Sequence, residues 1–316
     1  MRGPSFRPVT LQTVALGLAL SVLAGCAPGA LTAFGSGAPD AAGTRQDRMR
    51  YVALGDSFTS GPLLPHITGN PIDCGRSLVN YPSLVARDLA VDEFADASCG
   101  SAKTAHMENE QKAPLGSRVR PQFDALTTDS DIVTVGIGGN DVSFSSSVLG
   151  CVNLLPVPIG KAPWGGPCVD KRVVDGVDRM SVRIGETREL VDDVLAGIAL
   201  RSPDARVFVI GYPVSLPHVG DGCWPRVPIL PVDVHYLRDK YLEMNQMLAD
   251  AAVAAGATYV DVYTPSIGHD VCQPYGVAWI NSINIDPAGL PLHPNHLSHR
   301  ATADVVAAAI RAELGS

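Results

Sequence analysis

Two stretches that read as buried β-strands each stop at glycine and then hand polar side chains to a turn. The first is Met49-Arg-Tyr-Val-Ala-Leu-Gly-Asp-Ser57; the second is Asp131-Ile-Val-Thr-Val-Gly-Ile-Gly-Gly-Asn-Asp141. A strand that is apolar along its length must be covered on both faces, the condition of a parallel sheet held between helices. The rest of the chain alternates to match. Strands are predicted over Tyr51–Leu54, Glu93–Ser98, Ile132–Ile137, Arg206–Gly211 and Thr258–Val262. Helices are predicted over Tyr81–Ala90, about Val174–Leu200, Asp233–Ala255 and Ser298–Leu314, with Ser202-Pro203 and Gly256 as stops. The expected fold class is therefore α/β, a three-layer α/β/α sandwich with a central parallel sheet. Ligands of such sheets bind beyond the carboxyl ends of the strands. Ser57 and Asn140 both fall there.

The first residues read as targeting information rather than fold. Arg2 and Arg7 form a basic start, Leu11 to Leu23 is an apolar run too short for a good membrane span, and Leu23-Ala-Gly-Cys26 has the form of a bacterial lipobox. The expectation is a lipoprotein signal peptide over 1–25, lipid attachment at Cys26, and a flexible Ala/Gly/Ser/Thr-rich tether over 26–48. A single catalytic domain, monomeric, would then occupy 49–316. Losing Arg2 and Arg7 moves the formal charge from −8 to −10. An acidic chain without Lys/Arg clusters argues against nucleic acid as a partner. The membrane would be reached through the lipid, on the outer face of the cytoplasmic membrane.

With Cys26 set aside, six of the seven cysteines remain: Cys74, Cys99, Cys151, Cys168, Cys223 and Cys272. An even number in an exported chain implies disulfides, and six cysteines allow 15 pairings that counting alone leaves open. Zinc is a poor alternative, since no C-x-x-C occurs. Gly136-Ile-Gly-Gly139 lacks the spacing and following acid of a dinucleotide site. No metal and no cofactor are expected.

Four blocks stand in order: Gly55-Asp56-Ser57, Ser98-Cys-Gly-Ser101, Gly138-Gly-Asn-Asp141, and Leu290-Pro-Leu-His-Pro-Asn-His-Leu-Ser-His299. Together they resemble the SGNH (GDSL) hydrolase superfamily, whose flavodoxin-like fold agrees with the pattern above. Within it, the cysteine spacings resemble those of the secreted three-disulfide bacterial lipases and esterases. That resemblance implies the pairings Cys74–Cys99, Cys151–Cys168 and Cys223–Cys272.

Acyl transfer needs a nucleophile, a base and donors aimed at the oxyanion. The resemblance implies Ser57 as nucleophile and His293 as general base. The oxyanion donors would be the backbone N–H groups of Ser57 and Gly100 and the side-chain amide of Asn140. Taken alone, Ser57 would be a helix cap, Gly100 a turn glycine, and Asp56 is read as a turn-stabilising acceptor. Many family members carry an aspartate three residues before the histidine, where this chain has Leu290. The Leu290 carbonyl is therefore expected to orient His293, with Asp286 the weaker option. His296 and His299 share a spacing of three with His293, but Pro294 disfavours a common helical face, so both are read as surface or capping residues.

Two long Pro/Gly-rich segments, Ser143–Lys171 and Val214–Pro231, are expected to wall the site. Their apolar residues Val152, Leu154, Leu155, Val157, Ile159, Trp164, Trp224, Ile229 and Leu230 either line an acyl groove or pack on each other. The substrate expected is an acyl ester or lipid. Two alternatives stay open: a carbohydrate O-acetyl esterase, and a non-catalytic cell-surface binding lipoprotein.

Overall fold

The computed structural model describes residues 48–155, 160, 162–283 and 289–315. Cys26, Val157, Ile159 and Asp286 lie outside the described residues. Five parallel strands form the central sheet: β1 (Arg50–Gly55), β2 (Glu93–Asp96), β3 (Ile132–Gly136), β4 (Arg206–Ile210) and β5 (Thr258–Val260). Their spatial order is β5-β4-β3-β1-β2. This is the doubly wound flavodoxin-like order, in which the chain reverses direction between β1 and β3 and opens a crevice there. Gly55 pairs with Gly136 in that register, so the two glycine-terminated strands end side by side. The expected three-layer α/β/α fold is the observed one.

Helices cover both faces because side chains alternate along each strand. Val52, Leu54, Val133 and Val135 pack with Val191, Leu195 and Ile198 of α4 (Arg179–Arg201) and with Leu237 and Leu248 of α5 (Pro231–Ala254). Tyr51, Ala53, Ile132 and Phe208 pack on the other face with Val85 of α2 (Tyr81–Asp88) and Val306 and Ile310 of α6 (His296–Leu314). A buried hydroxyl pair in this layer, Tyr51 Oη and Thr134 Oγ1 at 2.8 Å, satisfies itself. Two short helices complete the set, α1 (Ser57–Ser60) and α3 (Phe144–Leu149).

Helix starts differ from expectation for local reasons. A two-stranded turn over Val173–Asp178 delays α4 until Asp178, whose carboxylate accepts from the N–H groups of Met180 and Ser181. Helix α5 begins earlier, at Pro231, where a missing N–H leaves no bond unmade. Helix α6 also begins earlier, because Asn295 caps it through Leu297 and Ser298. No helix among the described residues is long and apolar enough to cross a membrane.

The three disulfides are Cys74–Cys99, Cys151–Cys168 and Cys223–Cys272. They close loops of 25, 17 and 49 residues, each worth on the order of 3 kcal/mol. The two long segments pack on each other. Val152 bridges to Ile229, Asn153 N–H donates to the Pro228 carbonyl at 2.6 Å, and Val227, Ile229 and Leu230 are buried. Leu154 and Trp164 remain largely exposed.

Candidate active site

The turn after β1 is built for close approach. Gly55 is held on both sides by the buried Gln122 side chain, whose Oε1 accepts from Gly55 N–H at 2.8 Å and whose Nε2 donates to Gly55 O at 2.9 Å. A Cβ on Gly55 would sit 2.7 Å from the Gly136 carbonyl, so only glycine lets β1 and β3 end together. Asp56 then caps α1: its Oδ1 accepts from Phe58 N–H at 2.8 Å, which is the turn-stabilising contact expected of it. Its Oδ2 accepts from the Tyr212 hydroxyl at 2.6 Å, and burial pushes this carboxyl up to about 7.

Ser57 Oγ lies 2.9 Å from His293 Nε2, although 236 residues separate them in the chain. His293 Nδ1 is 2.8 Å from the carbonyl oxygen of Pro291. A carbonyl can only accept, so Nδ1 carries the proton and Nε2 faces Ser57 as an acceptor. The expectation for Leu290 is thereby corrected. The Leu290 carbonyl instead accepts from the backbone N–H of His293 and from Asn281 Nδ2, each at 3.2 Å. With Leu292 at φ 58°, that tight turn swings the imidazole back over Pro291. Burial lowers the His293 pKa, and the Pro291 bond offsets only part of the fall. The segment is further pinned by backbone bonds from Asn281 to His293 O and from Asn295 to Trp279 O.

The expected donors divide. Asn140 flanks Ser57 in the same crevice, and its Nδ2 donates to the Ala102 carbonyl at 2.8 Å, leaving the second N–H of the amide. Gly100 is different, because its N–H donates to the Cys74 carbonyl at 2.8 Å and is occupied. Its carbonyl accepts from Gln111 Nε2 at 2.7 Å. The next residue, Ser101, takes φ 64° and its N–H has no partner among the described residues. Thr104 ties this turn to the Asn140 turn, its N–H and hydroxyl both donating to Asp141.

His296 and His299 lie in different surroundings. His296 is exposed, as expected. His299 is not on the surface: it is buried beneath the site, its Nδ1 accepts from Tyr81 N–H at 3.0 Å at the start of α2, and burial holds its pKa down at about 3. Cys151 and Cys168, which lie beside the buried Asp233 carboxylate, are bonded to each other, and Asp233 accepts from the N–H groups of Cys168 and Val169.

A narrow crevice of about 20 Å³ opens beside Ser57, lined by Phe58, Phe144, Tyr212, Tyr241 and Met244. Of the lining, only Phe144 and its neighbour Ser145 come from the two segments expected to wall the site. Sequence reasoning missed Tyr212, Gln122, Gln111 and the Pro291 carbonyl. The only hint of Tyr212 was its place just after β4, where the sheet delivers its ligands.

Residues 53–301 match the GDSL-like Lipase/Acylhydrolase family. The chain is 37% identical to Lipase 2 of Streptomyces coelicolor over 259 residues, covering 81% of this chain and 84% of that one. It is 29% identical to an esterase of Streptomyces scabiei, over 85% of this chain and 82% of that one. The crystal structure of an extracellular lipase from Streptomyces rimosus has a TM-score of 0.62 at 24% identity, covering 83% of this chain and 99% of that one. That of phospholipase A1 from Streptomyces albidoflavus gives 0.62 at 23%, with the same coverage.

Proposed function

The chain belongs to the GDSL-like lipase/acylhydrolase family, and from that premise we propose an exported, lipid-anchored serine esterase that works through an acyl-enzyme on Ser57. The observation that carries the reading is the 2.9 Å contact between Ser57 Oγ and a buried, neutral His293 whose far nitrogen is already held by a carbonyl. Ser57 Oγ attacks the ester carbonyl carbon as its proton passes to His293 Nε2. The tetrahedral oxyanion is met by the Ser57 N–H and the free N–H of Asn140. The Ser101 amide takes the place expected of Gly100. Collapse expels the alcohol with the proton returned by His293. Water, deprotonated by the same nitrogen, then releases the carboxylic acid.

Export is supported by the three disulfides, which persist in oxidising compartments, and the lipid anchor by Leu23-Ala-Gly-Cys26. The apolar lining of Phe58, Phe144, Tyr241 and Met244 favours an acyl chain over a sugar beside the nucleophile. The test is a panel of p-nitrophenyl esters from acetyl to palmitoyl, run beside acetylated sugars and phospholipids, with a fluorophosphonate probe for Ser57. Turnover of acyl esters with labelling at Ser57 is the expected result. Turnover of acetylated sugars alone, or no labelling of folded protein, would refute it.

The orienting carbonyl leads to a further prediction. Because Nδ1 is engaged by Pro291, Asp286→Asn should leave kcat within about a few-fold of the parent. A triad carboxylate would instead cost on the order of 10⁴ in kcat, by selecting the wrong imidazole tautomer. Steady-state kinetics on the folded variant decides between them.

A further inference from the structure

Tyr212 lies two residues beyond the end of β4, and its ring is buried. Its phenolic oxygen is bonded to two different turns. The hydroxyl donates to Asp56 Oδ2 at 2.6 Å, and the same oxygen accepts from the Gly139 N–H at 3.0 Å. Asp56 immediately precedes Ser57, and Gly139 immediately precedes Asn140. The nucleophile turn and the Asn140 turn are thus joined through one atom.

That atom sits on a rigid post. Tyr212 N–H donates to Asn245 Oδ1 at 2.8 Å and Tyr212 O accepts from Asn245 Nδ2 at 3.0 Å, so the α5 side chain clamps its backbone on both sides. Phe58 and Tyr241 stand edge-on to the ring at 5.1 and 6.4 Å. The bond polarity is fixed as well. Gly139 N–H can only donate, so the phenol must turn its own proton to Asp56. A Cβ on Gly139 would come within 3.0 Å of the phenolic oxygen, so the turn is packed hard against it.

We propose that Tyr212 is a positioning residue, which sets the distance between the Ser57 nucleophile and the Asn140 oxyanion donor by bridging their turns. The proposal rests on the reading of Ser57 as nucleophile and Asn140 as donor. Without the hydroxyl, Gly139 N–H and Asp56 Oδ2 are both left buried without this partner, and the two turns lose their common reference. The oxyanion exists only along the reaction path, so the loss should fall on kcat rather than KM.

The test is Tyr212→Phe, assayed on p-nitrophenyl butyrate with kcat expressed per site titrated by a fluorophosphonate. Removing one oxyanion donor outright costs about 10² to 10³ in kcat, so misplacing one should cost about 10- to 100-fold, with KM within about twofold. Asp56→Asn leaves one amide oxygen for the two donors that the carboxylate now serves, Phe58 N–H and Tyr212 Oη, and is read by the same criteria if Tyr212→Phe does not fold. The double variant should be no slower than the slower single, because both break one bridge. A kcat within about twofold of the parent, whatever the change in Tm, or losses that multiply in the double, would overturn the role. Ser57→Ala keeps the outcomes apart. Turnover lost in Ser57→Ala but retained in Tyr212→Phe overturns the positioning role alone, whereas a parent enzyme inactive on every ester removes the hydrolase reading and this proposal together.

Discussion

Ser57→Ala should lower kcat for ester hydrolysis by on the order of 10⁴-fold or more, with circular dichroism and Tm close to those of the parent. The hydroxyl makes one side-chain bond, to His293 Nε2, and the backbone bonds of its turn run through Asp56 O and Ser57 O. Removing Oγ therefore takes away the attacking atom while leaving the turn intact. The N–H donor of residue 57 also survives, so substrate binding should change little. A residual rate above about a hundredth of the parent would remove Ser57 as nucleophile, since deletions of such residues cost far more.

His293→Ala should be comparably damaging, and the Ser57→Ala/His293→Ala double variant should be no slower than either single, because the two act as one unit. The pH dependence follows from the same contact. Protonation of Nε2 removes the acceptor for the Ser57 proton, so kcat/KM should fall as pH falls. Burial lowers the His293 pKa from its ordinary value of 6.5, which places that limb on the acid side of 6.5. A limb near 7 that disappears in Asp56→Asn would instead belong to the Asp56 carboxyl, which burial raises to about 7. Imidazole added to His293→Ala offers a check, as partial recovery is expected of a missing base and not of a collapsed fold.

Much of this architecture could be read in advance because it is local. Apolar strands ending at Gly55 and Gly136 implied a parallel sheet, and the order β5-β4-β3-β1-β2 sets Ser57 and Asn140 on either side of its switch point. The neighbour pairing of six cysteines, implied by family resemblance, is the pairing observed. The errors are equally instructive. His-Pro-Asn marks a base before a helix, but which carbonyl meets the imidazole depends on the backbone angles of a four-residue turn. The left-handed Leu292 turned Nδ1 to Pro291 rather than Leu290. A glycine beside a half-cystine looked like an oxyanion donor, and the Cys74 carbonyl, brought in by the Cys74–Cys99 disulfide, took its N–H.

The chain by itself determined the elements and the types of group at their ends, because hydrophobic periodicity, glycine stops and capping residues act within a few residues of one another. Tertiary structure alone decided the connections among those ends. Gln122 on Gly55, Gln111 on Gly100, Tyr212 between Asp56 and Gly139, and His299 on Tyr81 are hydrogen bonds between a side chain and a distant backbone group or carboxylate. Buried polar groups must find partners. A glutamine or tyrosine in isolation carries no periodic signal of which partner folding will bring to it.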